Sequence, residues 1–254
     1  MSKNPVAIVT GGSRGVGAAT AKILSANGWN VLVTCSSSIE AANIIAAECS
    51  SEISEVIAIK ANVANDEDCI HSVETAIKKW GRVDAVVNNA GTTKFVWNHG
   101  DLEGIDAEDF QNIYSVNVIG PFQMVRASKM HLLKSDNPNI INVSSIGGLK
   151  GIGSSIAYAA SKGALNSMTL SMARNLGPIK VNAVCPGFIE GEWLKKGMGL
   201  EMYEAVKSRV QTSTPLKKTC TPESVAEVIV NLVEKSELMT GQLVTVDGGA
   251  SLNL

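Results

Sequence analysis

The sequence predicts a doubly wound α/β fold, a mostly parallel sheet of seven strands with helices on both faces. Three observations carry this. Short apolar runs alternate with helix-length segments along the whole chain. Each run is continuously apolar, the pattern of strands covered on both sides. The first run leads straight into a glycine-rich turn.

The elements follow in order. Val6 to Thr10 gives the first strand, and a helix runs from about Gly15 to Asn27. Val31–Thr34 is the second strand, followed by a helix from Ile39 to about Cys49. Val56–Ile59 is the third, and the acids Asp66 and Glu67 suit the positive end of the next helix. Val83–Val87 is the fourth, with a long helix over about 106–134 after it. Ile140–Val143 is the fifth, leading to a second long helix over about 154–176. Val181–Val184 is the sixth. Thr221-Pro-Glu-Ser opens the last helix with proline in its first turn, and Leu243–Val246 is the seventh strand. Two stretches break the rhythm: Thr92 to Asp106, and Gly187 to about Leu200. Both follow the carboxyl end of a strand, where ligands of such sheets bind.

The 254 residues fit one domain, 1–254. Aromatic residues are only 4%, so the interior must be mostly Ala, Val, Ile and Leu. A net charge of −2 without blocks of one sign gives no footprint for nucleic acid or an anionic membrane. No apolar run approaches the roughly 18 residues of a membrane span, and no signal peptide is expected before the first strand. The cysteines, at 35, 49, 69, 185 and 220, lack a C-x-x-C, so reduced thiols and a cytoplasmic protein are expected. His71, His99 and His131 have no ligand spacing, and no metal site is expected.

Thr10-Gly-Gly-Ser-Arg-Gly-Val-Gly17 joins the first strand to the first helix with the spacing G-x-x-x-G-x-G. Glycines let backbone approach a ligand closely, and the helix beyond offers free N–H groups to a pyrophosphate. Gly11-Gly-Ser13-Arg-Gly15 also fits the G-x-S-x-G elbow of hydrolases, with Ser13 as nucleophile; its place on the first strand of the chain weighs against that. The second strand ends in Thr34-Cys-Ser-Ser-Ser38, without the acid that accepts from an NAD ribose. Serine hydroxyls and the Arg14 charge suit a 2′-phosphate, so NADP(H) is expected over NAD(H).

Tyr158-Ala-Ala-Ser-Lys162 puts a phenol and an ammonium on one helix face. An adjacent ammonium is expected to lower the phenol's pKa and equip it for proton transfer. Ser144-Ser145 ends the fifth strand, Asn88-Asn-Ala-Gly91 the fourth and Cys185-Pro-Gly187 the sixth, all at one sheet edge.

Taken together over essentially the full chain, these residues, with Asn117 and Asp247-Gly-Gly249, resemble the short-chain dehydrogenase/reductase family. The pattern is that of its single-domain members, such as the β-ketoacyl-ACP reductases. The resemblance implies a reductase that interconverts a carbonyl and an alcohol. Tyr158 would protonate the carbonyl oxygen, Ser145 would hydrogen-bond it, Lys162 would hold the nicotinamide ribose and lower the Tyr158 pKa, and Asn117 would position a relay water. Gly11, Ser13, Arg14, Val16 and Gly17 would line the phosphates. Cys35 and Ser36 would flank the adenosine ribose, and Asn62 and Val63 would border the adenine. Asn89, Ala90 and Gly91 would back the ribose, and Pro186, Gly187 and Ile189 would wall the nicotinamide. Gly191 stands where relatives often carry Thr, which puts the grip of that loop in doubt. The resemblance also implies a homotetramer or homodimer built on the two long helices.

Blander roles remain for other residues. Cys185 reads as packing, His99 as a surface-loop residue and Asp247 as the organiser of a C-terminal turn. Trp193, Met198, Met202 and Tyr203 fit either a lid over an apolar substrate or a helix face on the core. A catalytically silent NADP(H)-binding regulator is the rival from another class, which the intact Ser145, Tyr158 and Lys162 set argues against.

Overall fold

The computed structural model describes residues 3–253. Its seven strands are β1 (Val6–Val9), β2 (Asn30–Cys35), β3 (Val56–Lys60), β4 (Ala85–Asn88), β5 (Asn139–Val143), β6 (Lys180–Pro186) and β7 (Leu243–Val246). They form one sheet in the order β3-β2-β1-β4-β5-β6-β7. Every pairing is parallel. The helices are α1 (Gly15–Ala26), α2 (Ile39–Cys49), α3 (Asp66–Trp80), α4 (Ala107–Tyr114), α5 (Gly120–Leu132), α6 (Gly147–Lys150), α7 (Ile156–Asn175), α8 (Glu192–Met198), α9 (Leu200–Ser213) and α10 (Pro222–Glu234).

Successive strand residues point to opposite sides, and both sides are buried, which explains the continuous apolar runs. Ala7, Val9, Val31 and Val33 pack with Leu24, Ala42 and Ile229 from α1, α2 and α10. Val6, Ile8 and Leu32 pack with Val73, Met124 and Leu132 from α3 and α5. Strand order reverses direction between β1 and β4, so the loops leaving those strands diverge and open a crevice at the carboxyl edge.

Two features depart from the expected elements. The long helix over 106–134 is not continuous: a π-helical stretch, Ser115–Ile119, separates α4 from α5 and contains Asn117. The stretch after β6 is not a plain loop, because it winds into α8 and α9.

A buried polar ladder crosses the sheet. Asn88 Nδ2 donates to Asn142 Oδ1 at 2.9 Å, and Asn142 Nδ2 donates to Thr169 Oγ1 at 2.9 Å. The amide bond between β4 and β5 helps to fix register, since a slip would break it.

Candidate active site

The glycine turn after β1 interlocks with the end of β4. Asn89 Nδ2 donates to the Thr10 and Gly11 carbonyls at 2.9 and 3.0 Å. Thr10 Oγ1 accepts from the Asn89 and Ala90 N–H groups, each at 3.0 Å. A Cβ on Gly17 would lie 2.4 Å from the Gly11 carbonyl oxygen and 2.5 Å from Asn89 Nδ2, so only glycine permits this closure. No side chain caps α1, whose N-cap is Arg14. That leaves the helix end to an outside anion. Val16 and Gly17 are buried, Ser13 is half-buried and Arg14 is exposed. The cradle fits the pyrophosphate of a nicotinamide dinucleotide. It does not fit a hydrolase elbow, because among the described residues no histidine hydrogen-bonds Ser13; His99 instead meets the Gly153 carbonyl at 3.1 Å.

The adenosine end differs in part from expectation. Ser36 is exposed at the end of β2, as a ribose contact requires. Cys35 is 4% exposed, with its Sγ 3.9 Å from the Ile59 carbonyl inside the core, so its side chain does not flank the ribose. Burial pushes the Cys35 thiol up. Lys60 sits opposite Cys35 in the sheet and is exposed. Sequence reasoning missed it, because only the register of β2 on β3 brings it there. Asn62 uses its Oδ1 in its own turn, accepting from Ala64 N–H at 3.1 Å. The Val63 carbonyl accepts from Gln123 Nε2 at 2.8 Å, which ties this loop to α5.

The catalytic candidates converge. Ser155 caps α7, accepting from the Tyr158 N–H at 3.2 Å, and so sets the helix that carries Tyr158 and Lys162. Lys162 is 4% exposed, and its Nζ donates to the Val143 carbonyl at 2.8 Å. It stands 5.7 Å from the centre of the Tyr158 ring. Asn117 is fully buried; its Nδ2 donates to the Thr92 carbonyl and Ser161 Oγ, and its Oδ1 accepts from Thr92 N–H. A Cβ on Gly91 would meet Asn117 Oδ1 at 3.5 Å and Lys162 Nζ at 3.7 Å, so bare backbone of the β4 loop faces both.

The expected charge effect on Tyr158 is not what the structure gives. Burial raises the Tyr158 pKa above its ordinary value, and the neighbouring Ser145 hydroxyl only partly counters this. Burial also lowers Lys162, to about 8. Desolvation of the buried phenol is the largest cause of that rise. Tyr158 therefore keeps its proton at neutral pH.

The loop after β6, which carries Pro186, Gly187 and Ile189, is tied to its neighbours. The Pro186 carbonyl accepts from Ile146 N–H at 3.0 Å, which draws the loop after β6 against the loop after β5. A Cβ on Gly187 would lie 2.8 Å from the Cβ of Asp247. Asp247 in turn accepts from the Gly249 and Ser251 N–H groups, the C-terminal turn expected of it. Ile189 bridges Cys220 through the flanking Phe188 and Glu190, which leaves its own N–H and carbonyl to the other side. Gly191 donates its N–H to Tyr203 Oη at 3.3 Å, and Glu190 is held by Lys207 and Thr219. Those contacts anchor the loop where a threonine is lacking. Cys185 is fully buried, with its thiol pushed up to about 11, as befits packing.

The open choice for the segment after β6 is split. Tyr203 enters the core at 2% exposure, whereas Trp193 stands 37% exposed above Tyr158, ring centres 6.5 Å apart.

A family model described as enoyl-(acyl carrier protein) reductase matches residues 11–251. A protein named as ketoacyl reductase 2 of the granaticin polyketide synthase of Streptomyces violaceoruber is 39% identical, over 98% of this chain and 96% of its own. A 3-oxoacyl-[acyl-carrier-protein] reductase of a Synechocystis species is 35% identical, over 96% of each. The crystal structure of a short-chain dehydrogenase/reductase of Burkholderia xenovorans superposes with a TM-score of 0.90 at 38% identity, over 99% of this chain and 100% of that one. The chain belongs to the short-chain dehydrogenase/reductase family of oxidoreductases.

Proposed function

We propose that this protein is an NADP(H)-dependent carbonyl reductase, a single catalytic domain acting in the cytoplasm as a homotetramer or homodimer. The observation that carries it is the meeting of Tyr158, Ser145, Lys162 and Asn117 at one sheet edge beside a glycine cradle. A nicotinamide supplies the hydride when bound; the chain's own residues do the rest.

Gly11, Ser13, Arg14, Val16 and Gly17 hold the phosphates, and Asn89, Ala90, Gly91 and Lys162 hold the nicotinamide ribose. Pro186, Gly187 and Ile189 wall the ring. Ser145 aligns the substrate oxygen and stabilises charge developing on it. Tyr158, protonated at neutral pH, delivers the proton to that oxygen. Asn117 holds its stretch of helix so that a water can refill the proton through Lys162. Two hydroxyls beside one substrate oxygen suit reduction of a carbonyl better than of a carbon–carbon double bond. That favours the ketoacyl relatives over the enoyl description.

The preference for NADP(H) rests on the acid-free turn Ser36 to Ser38 between Arg14 and Lys60, all exposed. Glu40 opposes it weakly from the first turn of α2. The assembly rests on apolar side chains left open on α5 and α7: Phe122 46%, Met130 64% and Leu170 48% exposed. Among the described residues no helix is long and apolar enough to cross a membrane.

Tyr158→Phe should lower kcat about 10²–10⁴-fold while NADPH binding, followed by titration calorimetry, stays within about twofold. Arg14→Ala should weaken NADPH and spare NADH. Undiminished turnover in the first variant refutes the acid. Tight NADPH binding with no carbonyl reduced by the unaltered protein would instead point to a silent regulator.

A further inference from the structure

Aromatic residues are scarce in this chain, with four Trp, four Phe and three Tyr in all. Four of these rings nevertheless form one row that ends on the catalytic phenol. Trp97 and Phe95 have ring centres 5.2 Å apart, Phe95 and Trp193 5.5 Å, and Trp193 and Tyr158 6.5 Å.

The row is built, not incidental. Phe95 and Trp97 come from the loop after β4, and Trp193 comes from α8. The Phe95 ring lies so close to α8 that a Cβ on Gly197 would be 2.1 Å from it. Trp97 Nε1 donates to the Gly197 carbonyl at 3.3 Å, so both rings are pinned to the same helix turn. The loop is also tied to the segment before α7. Val96 N–H donates to the Ser154 carbonyl at 2.7 Å, Thr93 Oγ1 meets Ser154 Oγ at 2.8 Å, and His99 meets the Gly153 carbonyl. The loop after β4, α8 and the Tyr158 helix are thereby locked around one aromatic cluster whose rings are tilted by 32–56° to one another. Trp193 keeps 37% of its surface exposed there.

We infer that Trp193, backed by Phe95 and Trp97, selects a ketone whose ring is fused to an aromatic ring, with that aromatic ring against the exposed Trp193 and the carbonyl at Tyr158. This rests on the carbonyl reductase reading and names its substrate class. Ring faces gain from stacking on a π system beyond the area they cover, whereas a saturated body gains only the area. The ketone gains a hydride from the reduced nicotinamide and a proton from Tyr158, and becomes a secondary alcohol beside oxidised cofactor.

The test compares 2-tetralone with trans-2-decalone, which share a carbon skeleton and differ in one aromatic ring, with an acetoacetyl thioester as the acyclic arm. The tetralone should be favoured in kcat/KM. Trp193→Leu and Phe95→Leu should each cut the tetralone-to-decalone ratio about two- to tenfold, mainly through KM. Binding of 2-naphthol and of trans-decahydro-2-naphthol, by calorimetry on the NADP⁺-loaded and the free protein, gives a readout without chemistry; the naphthol should bind tighter, and Trp193→Leu should remove the difference. Equal binding of the two alcohols, or a tetralone preference untouched by both variants, overturns the inference. Decalone and thioester reduced as well as tetralone would overturn it too, and leave the reductase standing. Naphthol binding that depends on Trp193, with no carbonyl reduced, would uphold the aromatic site and end the reductase reading.

Discussion

Replacing Lys162 by methionine should stabilise the protein and silence it. Lys162 is 4% exposed and burial lowers its amine to about 8, against about 10.4 for a free lysine. Keeping it charged in the fold at pH 7 therefore costs on the order of 3 kcal/mol. The unfolded chain still binds this proton between pH 8 and 10.5, where the folded chain has released it, so this contribution to stability rises with pH across that window. Methionine fills similar volume without charge but leaves the Val143 carbonyl without its 2.8 Å donor, a loss of about 1 kcal/mol. The net gain at pH 7 is roughly 2 kcal/mol, or about 4–8 °C in Tm at this chain length. Urea melts of both proteins from pH 7 to 10.5 provide the assay. The variant's advantage should shrink as pH rises above 8, vanish near about pH 9.5 and reverse by 10.5, where only the lost hydrogen bond to Val143 remains. A variant less stable at pH 7, or an advantage indifferent to pH, refutes the reasoning.

Two further outcomes follow from the packing. Gly17→Ala should weaken NADPH binding more than tenfold by calorimetry and cost about 1–3 kcal/mol of stability, since its methyl would strike the Gly11 carbonyl and Asn89; unaltered binding would contradict the cradle. Asp84 is 3% exposed and accepts from Val6 N–H and from Arg82 Nε and Nη2 at 2.7–2.8 Å. Asp84→Ala should cost about 1–3 kcal/mol in urea melts by leaving the buried Val6 N–H without its acceptor, and no measurable loss would count against this.

The strands and the sheet's two-sided burial were legible because unbroken apolar runs have few other uses. Residues fixed by backbone were legible too: Gly17 and Gly91 sit in turns whose spacing announces them. What escaped the sequence depended on side-chain direction. Cys35 and Ser36 are neighbours, yet the alternation of a strand sends one into the core and the other outward. Lys60 reaches the sheet edge beside Ser36 only through pairing with Cys35. The aromatic row joins residues nearly a hundred positions apart, and no local periodicity links Phe95 to Trp193. The Tyr158 expectation failed because a charge pair was weighed without the cost of burying it.

The π-helical turn at Ser115–Ile119 has a reach beyond Asn117. Wider winding there holds an extra residue, which offsets all of α5 by about 100° relative to an unbroken helix. That offset decides that Met124 and Leu132 meet the sheet while Phe122 and Met130 look outward. Deleting one residue from this turn would swing the whole helix, turning apolar anchors toward solvent and the exposed Phe122 and Met130 toward the sheet. The buried place of Asn117 and the two faces of α5 are thus set by a single irregular coil, and a change of chain length at that point would be felt by all of them at once.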